Sequence, residues 1–227
     1  MVNVDRAYNK VRNELAEVGL LADGVYLDSV ELCVSDEKSG DGEWGYVFER
    51  VGHYADRGYR PGVIYLPRDL PHLPYSPGWT LTDTIRHEYA HAWFYLDPGF
   101  FRQEWFVKTF GAAYSNPDPI PYQQWQRKAK RNPGFDVTQG RKGLGSQAGG
   151  SQQQIMLQHF ISEYATTNAS EDFAETFMFF LKYRRSLKRF AKRPIVYQKL
   201  TMVQQAVAAA SRKAKRSRRR NQRVASE

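Results

Sequence analysis

Cysteine is almost absent from this chain of 227 residues: there is one, Cys33, so no internal disulfide can form. Cys33 falls in the apolar alternation "VELCV", where a buried and inert thiol is expected. Long apolar runs are absent too, and no window approaches the length a membrane-spanning helix needs. The opening stretch "MVNVDRAYNKVRNELAEVG" lacks a basic start followed by an apolar run, and charges interrupt it throughout. It does not read as a signal peptide, and the location expected from these features is cytoplasmic. No internal repeat is visible. Histidine is scarce, with five in all, which makes two of them four positions apart worth following.

What is present suits a folded domain. Apolar residues make up 41% and aromatics 14%, enough to bury a core and exclude wholesale disorder. The net charge is +9, but residues 211–227 hold eight Lys or Arg against one Glu, so +7 of it lies in that tail. The rest of the chain is nearly balanced, and the basic character belongs to a segment rather than to a folded face.

Residues 4–18 space their apolar positions (Val4, Ala7, Val11, Leu15, Val18) as a helix does, with Gly19 as the stop. "GVYLDSVELCVSD" alternates as a strand does, and "YVFERVGHY" is a second strand candidate. "VIYL", residues 63–66, lies between Pro61 and Pro67, which points to a strand at a sheet edge. Helical spacing resumes from Thr80 to about Leu96, and "FRQEWFVKTFG" reads as a further aromatic-rich helix. The Gly/Gln/Ser segment at 137–153 reads as a flexible loop. "EDFAETFMFFLKY" is strongly helical with Ser170 as N-cap candidate. A last helix from Pro194 is expected to fade into the basic tail. The fold class this predicts is α+β, with a small N-terminal sheet and a helical C-terminal part. The expected organisation is one domain over 1–205 and a disordered basic tail over 206–227.

The chemistry concentrates in "LTDTIRHEYAHAWF", residues 81–94. Side chains at i and i+4 leave a helix from the same face, so His87 and His91 can aim ring nitrogens at one metal ion. Glu88 follows the first of them and can serve as general base in metal-assisted hydrolysis: this is the HExxH arrangement. The flanks Ile85, Tyr89, Ala90, Ala92, Trp93 and Phe94 are apolar around much of the helix, so it is expected to be buried rather than to carry two solvated histidines.

Two histidines leave a hydrolytic zinc site one protein ligand short. His53, His72 and His159 are candidates, as is a downstream Asp or Glu. "EDFAETF" stands out because Glu171 and Glu175 share a helix face amid phenylalanines. A buried carboxylate pair is costly unless each member has a cation, a metal or a donor. Glu171 on the metal, with Glu175 accepting the free ring N–H of a ligand histidine, would meet that need.

Together "TLTDTIRHEYAHAWF", "FVKTFGAAY" and "HFISEYATTNASEDFAETFMFFL" resemble a bacterial family of zinc-binding metallopeptidases. The last block is also similar to the catalytic domain of the anthrax lethal factor toxin, through the spacing Y-x6-E-x2-A-E at Tyr164, Glu171 and Glu175. The resemblance covers roughly residues 60–182. It implies a zincin-like fold of the gluzincin type, with the small sheet packed on the HExxH helix, and a Zn2+ cofactor held by His87, His91 and Glu171. It implies Glu88 as general base toward a zinc-activated water and Tyr164 facing the tetrahedral intermediate. Glu175 would support the ligands from outside, and a protein or peptide would be the substrate. This chain departs from the family pattern in carrying Tyr-Ala inside HExxH, in lacking a Trp near the ED pair, and in the Gly/Gln/Ser segment.

Two other functions compete. The basic tail could bind DNA or RNA through phosphates and so recruit the protease domain to nucleic-acid-bound proteins. Alternatively zinc could merely brace a non-catalytic scaffold. That would call for four protein ligands, usually cysteine-rich, and would leave Glu88 without a task.

Overall fold

The structure, a computed structural model, describes residues 4–21, 26–35, 45–47, 58–67, 69, 79–101, 103–110, 159–166 and 169–224. His53, His72 and the 137–153 segment lie outside them. Two compact units emerge: Met1–Pro74 with Trp79–Leu96 and Gln204–Glu227, and Tyr75–Gly78 with Asp97–Val203. The architecture is mixed, a small three-stranded sheet with mostly helical content, in keeping with α+β. Among the described residues, no helix is long and apolar enough to cross a membrane.

In the first unit, α1 (Val4–Glu17) buries Ala7, Val11 and Leu15. It ends as its spacing predicts. Gly19 takes φ +78°, and the amides of Gly19 and Leu20 donate to the carbonyls of Ala16 and Leu15 at 2.9 Å each. That double closure is a Schellman cap, which needs a left-handed residue at this position. A Cβ on Gly19 would also lie 2.1 Å from Ser211 Oγ, so glycine is required twice over.

The sheet order is β1 (Glu31–Val34), β3 (Val63–Leu66), β2 (Gly45–Val47). β3 pairs parallel with β1 and antiparallel with β2. This corrects the reading of "VIYL" as an edge strand: it is central, and all four residues are buried. Pro61 and Pro67 flank the strand without occupying a paired position, so neither removes a donor from the ladder. The expected long strand before β1 is also shorter, because Tyr26–Ser29 forms a 3-10 turn. Cys33, expected to be buried, is exposed. β1 has an unpaired outer edge among the described residues, and its apolar alternation turns Val34 toward solvent rather than into a core.

α2 (Leu81–Leu96) starts at a reciprocal cap. The Asp83 amide donates to Thr80 Oγ1, and the Thr80 amide and hydroxyl both donate to Asp83 Oδ2, at 3.2 and 2.8 Å. α1 packs against α2, with Tyr8 stacked on Tyr89 at 6.5 Å. Between them Arg86 donates through Nε and Nη2 to both oxygens of Glu14, at 2.7 Å each, and through Nη1 to Asp83 at 2.6 Å. All three are buried. Arg86→Ala would leave two carboxylates buried without their cation, which costs about 3–5 kcal/mol. Urea unfolding is expected to show a lower midpoint at unchanged slope, and an unchanged midpoint would contradict this account.

The second unit is built on aromatic packing. It holds α3 (Pro98–Phe101), α4 (Glu104–Phe110), a 3-10 turn at Tyr164–Thr166 and α5 (Ala169–Tyr183). Phe173 lies at the centre, edge-on to Phe101, Phe106 and Phe110 at centroid separations of 4.9, 5.4 and 5.5 Å. α5 begins at Ala169, so Ser170 lies inside its first turn and is not the N-cap. α6 (Pro194–Val224) brings Lys199 against Asp172 at 2.6 Å, and both are buried. α6 remains helical through the basic segment to Val224, where a disordered tail is expected from 206. Ala206, Val207 and Ser211 continue its buried stripe, which favours carrying the helix onward.

Candidate metal centre

α2 sets the site. From Asp83 through Ala90 every side chain is buried, so this is the enclosed helix its apolar flanks predict, and not a surface helix. His87 is buried and His91 is half-buried. Their Nε2 atoms face each other at 3.0 Å, with ring centroids 4.8 Å apart. Two nitrogens on one tetrahedral ion, at about 2.0–2.1 Å each, stand ~3.3 Å apart. The 3.0 Å separation is that of a hydrogen bond between the two rings, and a shared ion would need the nitrogens only about 0.3 Å further apart. The indole of Trp79 lies 5.4 Å from the His87 ring and is one wall that the motif did not indicate.

Glu88 is buried next to His87 in sequence but is held separately. Its Oε2 accepts the backbone N–H of Tyr46 at 2.9 Å. The Tyr46 side chain stacks on Tyr95 at 6.2 Å, and burial, followed by the neighbouring Tyr95, pushes its phenol up to about 12. Tyr46 therefore stays neutral across the ordinary working range.

Glu171 stands in the first turn of α5 and is half-buried. Among the described residues, the group that could hold a metal ion is His87, His91 and Glu171, whose ligand atoms all lie within 4.8 Å of one another. The donor set, two imidazoles and a carboxylate, is one that zinc takes, as other divalent transition metals do. His159 is outside this group, and its carbonyl instead accepts Lys199 Nζ at 2.9 Å. Glu175, fully buried one turn further along α5, accepts the Ser162 hydroxyl at 2.6 Å. The same hydroxyl accepts the Ala165 amide at 3.1 Å, which ties Glu175 to the turn carrying Tyr164. Tyr164 itself is half-buried.

Asp172, in the first turn of α5, accepts Lys199 Nζ at 2.6 Å, and the same ammonium lies 4.4 Å from the Phe160 ring centroid; nothing in the sequence points to this pair. The Tyr46 amide was missed as well. A backbone donor leaves no mark in a sequence beyond the glycine beside it. No family model, curated protein or solved structure matches the chain.

Proposed function

We propose that this chain is a zinc-dependent metallopeptidase of the gluzincin type, acting on a protein or peptide substrate. The observation that carries the reading is the His87, His91 and Glu171 group, with Glu88 buried in the same helix as the two histidines. Three protein ligands of this kind leave a fourth position for water or substrate, as hydrolytic sites require and bracing sites do not. A cysteine-rich structural site finds no support, since the single cysteine is exposed on β1. The motif resemblance to bacterial zinc-binding metallopeptidases supports the same reading. So does the packing of β2 against α2, which suits a zincin-like arrangement of sheet and HExxH helix.

His87 and His91 would hold the ion through Nε2, and Glu171 through a carboxylate oxygen. Bound there, zinc supplies Lewis acidity and lowers the pKa of water. Glu88 takes the proton from the attacking water and returns it to the leaving amine. Tyr164 offers its phenol O–H to the oxyanion that develops from the scissile carbonyl. Glu175, steadied by Ser162, would orient a ligand imidazole by accepting its other ring N–H.

Purified protein is expected to cleave an unfolded, fluorescently labelled protein substrate. The activity should vanish with a chelator and return with added zinc. Cleavage that persists in chelator, or none by zinc-supplemented protein across unfolded substrates and peptide mixtures, contradicts the proposal.

A further inference from the structure

We propose that the Gly45–Tyr46 backbone of β2 is the cradle that positions Glu88. This rests on the reading of Glu88 as general base. Two independent features point to it. The first is the donor: the Tyr46 amide is spent on Glu88 Oε2 at 2.9 Å, across 42 residues of sequence. A buried carboxylate needs donors, and a fixed backbone N–H sets its position more firmly than a mobile side chain would. The second is the space. A Cβ built on Gly45 would lie 2.8 Å from Glu88 Oε2 and 3.3 Å from its Cδ. That is too close for a real side chain, so the carboxylate occupies room that only glycine leaves. Gly45 also has φ +123°, a conformation L-residues rarely adopt. With Oε2 committed to the amide, Oε1 is the oxygen left to accept the proton. Gly45 and Tyr46 are thus positioning residues, acting through Glu88.

Gly45→Ala carries two separable costs. Backbone strain at the positive φ acts on stability whatever residue stands at 88. The added Cβ acts through the Glu88 carboxylate and so on catalysis. Displacing a reacting group by about 1 Å can cost 10²-fold, so Gly45→Ala is expected to lower kcat by about 10–100-fold. Zinc content and KM should be little changed. In a Glu88→Asp background the shorter side chain withdraws the carboxylate from the new Cβ. There Gly45→Ala is expected to lower kcat by less than about threefold further, a non-additivity that a purely structural role would not produce.

A second readout needs neither activity nor the Gly45 variant. Hydrogen exchange of the Tyr46 amide, followed by NMR, is expected to be at least about tenfold faster in Glu88→Ala than in wild type, because the acceptor is gone. This decides the matter if Gly45→Ala fails to fold. A Tyr46 amide that exchanges equally in both proteins overturns the cradle. So does a Gly45→Ala protein with full kcat, or additive losses with Glu88→Asp. A wild type that holds no zinc and hydrolyses nothing overturns the reading of the site instead, and with it the catalytic meaning of the cradle.

Discussion

Glu88→Gln is expected to lower kcat by about 10²–10⁴-fold, the usual contribution of a positioned general base. The substitution keeps the shape of the side chain. The amide oxygen of glutamine can still accept the Tyr46 N–H that Glu88 Oε2 accepts at 2.9 Å. The fold and the position of the side chain should therefore survive. What is lost is the capacity to take a proton. Glu88 is not in the His87, His91 and Glu171 group, so zinc content is expected to stay at the wild-type value. KM should change little, because the lost interaction belongs to the transition state rather than to substrate binding. Steady-state kinetics beside elemental analysis check both halves. A Glu88→Gln protein of undiminished kcat would remove Glu88 from the mechanism.

Removing the metal is expected to lower the melting temperature, and His91→Ala is expected to abolish that dependence. An ion that binds the folded chain alone stabilises it by about 4 kcal/mol when free ion stands at a thousandfold its Kd. For a chain of this size each kcal/mol moves Tm by about 2–4 °C, so chelation should lower the wild-type Tm by about 8–16 °C. His91 is the better of the two histidines to replace. His87 is buried, and its truncation would add a packing loss to the ligand loss. His91 is half-buried, so most of what its removal changes is the ion. Glu175→Gln should behave differently, keeping the ion with about 10–100-fold weaker affinity, as loss of an outer partner does. Scanning calorimetry with and without chelator reads all three proteins. A wild-type Tm indifferent to chelator would contradict a bound ion.

Local features of the fold were legible where their causes are local. The stop of α1 at Gly19 and the span of α2 follow from spacing and caps within a few residues. That His87 and His91 share a face follows from helix geometry alone. Long-range partners were not legible. Nothing near Arg86 announces Glu14, which is 72 positions earlier, and nothing near Asp172 announces Lys199. β3 was misread because prolines beside a strand look like prolines in one, and only the pairing shows which. Cys33 was misread because alternation says that a strand has two faces, not that either is covered. The basic run was read by composition as a tail. The buried stripe through Ala206, Val207 and Ser211 explains why helix continues into it.

The central claim is that His87, His91 and Glu171 hold one ion. Elemental analysis of purified wild type and Glu171→Ala, side by side, tests it most directly and also reads which metal is held. The expected result is about one zinc per chain in the wild type and far less in the variant, with both proteins folded. A folded wild type without metal, or a Glu171→Ala protein that keeps its zinc, would contradict it.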